Sequence, residues 1–506
     1  MKKITLYLGV IAALVFGQTS ANLLRADNID VNKARQLAAN YMAVQTGQKN
    51  LSSNDLKLVY EIPNVEQGVA ALYFFNTSNG GFVVMSASDC MDPVLAYSTE
   101  GVLDPNNLPP AMLWWMNGYA NTICYAQNNN LTPDAEVKAM WNELERKDIR
   151  PDEPKAIYKT MTSVWNQDYP YNIYSPKVNG ESCPTGCVAT AMGQIVHYWK
   201  YPVKPKGMVN YQYTCGSTNT SHTLGVNFDT VKYDYSLMPD TAYRGYSNQT
   251  WWNDAQIREV SKLNYHLGIA NRMSYDLEGS GAQSGRYTKN AFVNYYKYRS
   301  NTIKELDRSN AFWANNTTTP NAKDTLWVDT LANEIKNKRP VFYTGYDISS
   351  SGVHAGHAFV LERFNTTTFK GWFNWGWGGS GDCWCNIVKS ALNTAGYNFS
   401  NNHNAIIGIQ PPKDSINTGN VGITTVSQEI EILPAYPNPA NTWINIPYNL
   451  GNNTSALLQI FAIDGRLMEQ RTIYSSSNKA AVNVESYPHG IYVCRIGGIS
   501  RKFVVE

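Results

Sequence analysis

Apolar positions along the chain fall into blocks of different period. From Cys187 onward, Val188, Ala191, Met192, Ile195, Val196 and Trp199 recur at helical spacing and Pro202 closes the run. This predicts an amphipathic helix that opens at Cys187. Near the N-terminus Val31, Ala34, Ala38, Tyr41 and Met42 share one helical face, with Asp30 placed to cap the start and Gly47 past the end. Residues 72–75 and 82–85 read as strands joined by the turn-rich stretch 76–81. Residues 111–125 read as a second helix after Pro109 and Pro110, and 355–361 as a short buried strand. Short apolar runs at 443–446, 457–462, 480–484 and 491–496 alternate with turn signals, the pattern of a small β-sandwich.

Polar stretches separate these blocks. Residues 146–155 are charged, hold two prolines and have no apolar face, as in exposed linkers where proteases cut. Residues 410–428, with Pro411 and Pro412, form a second linker. At the start, Lys2 and Lys3 precede an apolar run over 4–16 and the small residues Thr19-Ser20-Ala21, which predicts a signal peptide over 1–21. That run is too short to cross a membrane. The expected division is 1–21, 22–150, 151–412, 413–428 and 429–506.

Composition narrows the picture further. At 506 residues the chain exceeds what one core usually serves. A net charge of +2 with 16% charged residues gives no reason to expect nucleic acid as a partner. Eight cysteines spread over the chain do not form a dense disulfide scaffold. Cys183 with Cys187, and Cys383 with Cys385, lack common zinc spacing, so no metal and no cofactor are expected.

The chemistry centres on Cys187. The N-terminal end of a helix favours thiolate over thiol, and the thiolate is the nucleophile. Such a cysteine needs a base, a group to orient the base and donors for an oxyanion. His357 lies in the 355–361 strand and is the candidate base; His354, in the loop before it, is the weaker one. Asn374 follows a turn at 365–368, so a hairpin would make it a cross-strand neighbour of His357, with Trp375 and Trp377 shielding the bond from water. Gln167 has an amide that suits an oxyanion beside the Cys187 N–H. Taken singly, His357 reads more often as a packed core histidine and Gln167 as a surface glutamine, and Asn374 also reads as a turn asparagine. Their order, Gln, Cys, His, Asn, is that of papain-like proteases.

Residues 156–410 resemble the streptopain family of secreted bacterial cysteine proteases. The resemblance rests on Asn166-Gln167, Thr185-Gly186-Cys187-Val188-Ala189-Thr190-Ala191, Gly356-His357-Ala358-Phe359-Val360 and Asn374-Trp375-Gly376-Trp377-Gly378-Gly379. It implies an α+β papain-like domain with Cys187 as nucleophile, His357 as general base and acid, Asn374 and Trp375 supporting the histidine, and Gln167 as oxyanion donor. It also implies that Ser280, Gly281 and Ala282, in a glycine-rich loop, border the substrate cleft with Gly356 and Trp377, and that apolar P2 side chains are preferred. Cys183 departs from the streptococcal pattern and raises a regulatory Cys183–Cys187 disulfide. Residues 22–150 resemble the family's inhibitory propeptide through 81–86 and 94–98, and 429–506 resemble a type IX secretion sorting domain through Tyr436-Pro437-Asn438-Pro439 and 487–493. The expected partners are protein or peptide substrates, the chain's own propeptide and the type IX machinery, and the expected location is secreted or cell-surface. A Cys-His acyl-transfer enzyme (a transglutaminase or amidase) and a surface adhesin on a degenerate protease fold are the competing readings.

Overall fold

The computed structural model describes residues 27–149, 151, 157–241, 252–282, 286–308, 320–348, 354–387 and 403–412, and most of 431–506. The signal segment 1–21, most of 150–156 and the linker 413–428 lie outside the described residues. The chain divides into two units, Met1–Ile416 and Asn417–Glu506.

The first unit begins with helix α1 (Val31–Thr46). Asp30 accepts hydrogen bonds from the N–H groups of Asn32 and Lys33, and Gly47 ends the helix at φ 72°. Four antiparallel strands follow, β1 (Leu56–Asn64), β2 (Val69–Thr77), β3 (Phe82–Ser86) and β4 (Val94–Ser98). The predicted hairpin is β2–β3, with Phe75 opposite Val83. At its turn Gly81 has φ 101°, and a Cβ there would lie 2.8 Å from the Ser98 carbonyl, so only glycine fits. Helix α2 (Pro110–Asn128) starts with proline at its first position, and Asp134 caps α3 (Ala135–Arg146).

The rest of this unit runs through β5 (Ile157–Lys159), a small hairpin β6 (Lys177–Val178) and β7 (Glu181–Ser182), then α4 (Cys187–Trp199). A second hairpin, β8 (Met208–Thr214) and β9 (Ser221–Asn227), precedes α5 (Asp254–Ala270) and α6 (Arg286–Asn290). Next come β10 (Lys304–Asp307), α7 (Pro320–Lys336), β11 (Val341–Ile348), β12 (His354–Asn365), β13 (Lys370–Asn374), β14 (Cys383–Asn386) and β15 (His403–Ile407). One sheet collects strands from both halves in the order β1-β2-β3-β4-β14-β13-β12-β11-β15-β10, with β5 also on β12. The join is β4 on β14, where Tyr97 faces Trp384 and Ala96 faces Cys385.

Strand alternation sends β12 side chains into two cores. Ala358 and Val360 pack with α4 and α5, among Met192, Ile195 and Leu263. Phe359 and Leu361 pack on the other face with Trp115 and Tyr119 of α2 and Trp327 and Leu331 of α7. Trp115 is fully buried, with its ring 4.5 Å from Phe373 and 5.7 Å from Tyr343. Truncating an aromatic in such a core costs about 3–5 kcal/mol.

The second unit is a β-sandwich. One sheet is β16 (Glu431–Ile432), β17 (Trp443–Asn449) and β20 (Lys479–Asn483). The other pairs β19 (Leu467–Tyr474), β18 (Ser455–Ala462), β21 (Gly490–Ile496) and β22 (Ile499–Val505). Ile444, Ile446, Leu458, Ile460, Val482 and Phe503 fill the space between the sheets, as period-two burial requires.

Candidate active site

Cys187 is the first residue of α4 and is partly buried. Gly186 before it has φ 83°, and a Cβ there would lie 2.6 Å from the Ser280 carbonyl oxygen and 2.8 Å from the Met273 methyl. Only glycine permits this approach, which brings the 273–281 loop against the cysteine. Thr190 locks the turn: its N–H and its hydroxyl both donate to the Gly186 carbonyl at 3.1 Å, and its hydroxyl meets Thr185 at 2.9 Å. Removal from water pushes the Cys187 thiol up, against the pull of the N–H groups of Ala358, Val188 and Cys187 itself. In this closed form, burial therefore outweighs the helix terminus that was expected to favour thiolate.

Cys187 packs against the core that holds Ala358, which puts β12 beside this cysteine one residue from His357. His357 pairs across the ladder with Gly345, and a Cβ on Gly345 would lie 2.0 Å from the Trp114 ring. Cross-strand partners share a face. The His357 side chain thus leaves the sheet on the side covered by α2, not on the α4 side. Trp114 fills this region, 5.0 Å from the His403 ring and 6.3 Å from Phe359.

Asn374 pairs in register with Val360, not His357. Its amide nitrogen donates to the Ser163 carbonyl at 2.7 Å, Gln194 Oε1 at 3.0 Å and Glu362 Oε2 at 3.3 Å. Its oxygen accepts from Gln194 Nε2 at 3.0 Å and the Gly376 N–H at 3.1 Å. The expected cross-strand contact with His357 is thus replaced by a buried network joining α4, β12 and β13. Glu362 is fully buried and its carboxyl is pushed up by desolvation, while Arg363 binds it at 2.9 Å. Gln194 lies in a stretch, Gln194-Ile195, that carries the family resemblance but had no role assigned to it, and Glu362 gave no sign in the sequence, since each meets Asn374 only through the fold.

The remaining candidates surround this centre. Gln167 is buried, and its carbonyl accepts from the Thr185 N–H at 2.8 Å, which fixes its loop two residues from Cys187. Ser280 is buried beside Gly186, with its hydroxyl lacking a partner among the described residues. Gly281 pairs with Ser274, Ala282 packs at the edge of the α4 core, and Gly356 is exposed. Trp375 is fully buried, donating its ring N–H to the Gly381 carbonyl at 2.7 Å and packing 4.9 Å from Phe359. It is part of the core under α2. Trp377 is partly buried, in a turn whose Gly378 N–H donates to the Trp165 carbonyl at 2.8 Å.

All eight cysteines are free thiols. The suggested Cys183–Cys187 disulfide is therefore not formed. Among the described residues no group of three His, Cys, Asp or Glu is arranged to hold a metal, and no helix is long and apolar enough to cross a membrane.

Comparison with known proteins places this site in a family context. Residues 165–385 match the Peptidase C10 family, 26–123 match the Spi protease inhibitor family and 434–506 match the secretion system C-terminal sorting domain. The chain is 27% identical over 405 residues to the thiol protease/hemagglutinin PrtT of Porphyromonas gingivalis, covering 77% of this chain and 42% of that protein. It is 28% identical over 388 residues to streptopain of Streptococcus pyogenes, covering 73% of this chain and 87% of the relative. The structure of a prointerpain A fragment from Prevotella intermedia superposes with TM-score 0.53 at 25% identity, covering 71% of this chain and 99% of that one.

Proposed function

We propose that in this chain, a secreted cysteine protease of the peptidase C10 family made as a zymogen with a C-terminal secretion sorting domain, Cys187 is the nucleophile and His357 its proton carrier. The Cys187 thiolate attacks the carbonyl carbon of a peptide bond. The Cys187 N–H and the Gln167 amide hold the resulting oxyanion, and His357 protonates the leaving amine. The acyl group remains on sulfur as a thioester. His357 then takes a proton from water, which attacks the thioester and releases the acid. Asn374 acts as a positioning residue that ties β13 to α4 through Gln194. Ser280 to Ala282, Gly356 and Trp377 border the cleft, and apolar P2 side chains fit it best.

The observation that carries this reading is the packing of β12 on α4, with Ala358 in the core against which Cys187 packs, because it sets the strand bearing His357 beside the nucleophile. The described form is latent. Trp114 packs on the face from which His357 emerges, and Met112 and Pro109 lie against Gly381, so the propeptide 22–150 holds the histidine strand and the tryptophan-rich turn. Cleavage within 146–155 starts activation. After the propeptide leaves, β12 is free to bring His357 to Cys187.

The test compares wild type with Cys187→Ala, each begun at Asn22. Wild type in reductant should shorten near residue 150 and cleave casein, with both losses of substrate and of chain length stopped by an epoxide inhibitor of cysteine proteases. Equal casein cleavage by Cys187→Ala would overturn the assignment, and amine incorporation without hydrolysis would point to acyl transfer instead.

A further inference from the structure

Strand β14 carries a second thiol site, on a different element from Cys187. Cys383 and Cys385 are both fully buried and their sulfurs lie 3.4 Å apart. Being two apart on one strand, they point to the same face, into the core that holds Trp115, Met116 and Tyr119 of α2. Tyr119 closes that face from the propeptide side, donating its hydroxyl to the Asn386 carbonyl at 2.5 Å. Along its outer edge β14 is covered by β4, with Ala96 opposite Cys385 and Tyr97 opposite Trp384. On these two sides the pair is covered by α2 and β4 of the propeptide, in a core that Val328 and Leu331 of α7 also complete.

Residues two apart on a flat strand have Cα atoms about 6.6 Å apart, from a rise of about 3.3 Å per residue. Disulfides span roughly 4.4–6.8 Å and favour about 5.5–6 Å. The sulfurs are therefore within reach of each other, but a bond between them shortens the strand and makes it pucker at Trp384. Trp384 is where β4 docks, so an intrastrand disulfide bends β14 at the residue that pairs with Tyr97 of the propeptide strand.

We propose that Cys383 and Cys385 form a redox modification site that opens when the propeptide leaves, and that a small-molecule disulfide then oxidises the pair to an intrastrand disulfide. One cysteine, as thiolate, attacks a sulfur of the oxidant and expels its first thiolate, giving a mixed disulfide. The second cysteine attacks the sulfur of the first and expels the other thiolate. Two thiol protons are lost, two electrons pass to the oxidant, and the oxidant ends as two thiols. The puckered β14 no longer accepts β4, which makes release of the propeptide one-way. The inference rests on the zymogen reading above.

Oxidised glutathione is the probe. It is added to full-length Cys187→Ala, which keeps its propeptide, and to processed wild type blocked at Cys187 with the epoxide. Remaining thiols are alkylated in denaturant without reductant and the tryptic peptide 371–389, which holds no other cysteine, is weighed. The full-length chain should give a doubly alkylated peptide. The processed chain should give a peptide lighter by two hydrogens that takes no alkyl group. A doubly alkylated peptide from the processed chain overturns the proposal, as does the disulfide in the full-length chain with its propeptide seated. If wild type does not shorten at all, the protease reading fails on its own account; a trypsin cut in the linker, followed by separation by size, supplies the processed state and the peptide masses still decide this site.

Discussion

At the level of single residues, solvation restrains Cys187, the proposed nucleophile. Cys187 has the backbone donors that favour a thiolate, but loss of water dominates and pushes the thiol up. A raised value keeps the sulfur protonated to higher pH, so its alkylation in the intact chain should be slow at neutral pH and climb into the alkaline range. Once the propeptide has gone and His357 is paired with it, the same cysteine should react fast at neutral pH. Mass-resolved alkylation rates of the Cys187 peptide, before and after processing, check this. Equal rates at neutral pH in both forms would mean that burial does not restrain the thiol.

Among elements, α2 covers the face of β12 from which His357 emerges. Trp114 stands where any side chain at Gly345 would sit, opposite His357, and packs on His403 and Phe359. Trp114→Ala should loosen α2 by roughly 3–5 kcal/mol and shorten the time to processed enzyme, followed as the full-length band disappears. An unchanged time course would mean that α2 does not gate the histidine strand. The elements differ in how far sequence revealed them. Helix α4 was legible through the helical spacing of Val188, Ala191, Met192, Ile195 and Val196, but it is not amphipathic, since Thr190, Gly193, Gln194 and His197 on its other side are buried too; α1 was legible because Asp30 and Gly47 mark its ends chemically. The face taken by His357 and the partners of Asn374 were not legible. Both depend on ladder register and on contacts with α4, which no local period encodes. Strand β14 escaped notice for a similar reason: Cys383-Trp384-Cys385-Asn386 is buried on both faces, so it lacks the alternation that marks a half-exposed strand.

Over the whole molecule, export and catalysis are assigned to separate units. The C-terminal sandwich has its own core, and its residues 434–506 match the secretion sorting domain. Deleting 434–506 should leave caseinolytic activity in cell extracts and remove it from the medium, as fractionation would record; undiminished activity in the medium would deny the tail its sorting role. The opposite arrangement governs the first unit, where the inhibitor and the enzyme share one sheet through β4 and β14. The segment proposed to leave on activation therefore supplies the edge on which β14 pairs. An enzyme that sheds β1 to β4 has to hold its remaining strands without that edge, so its working life outside the cell would be set by how slowly it unfolds.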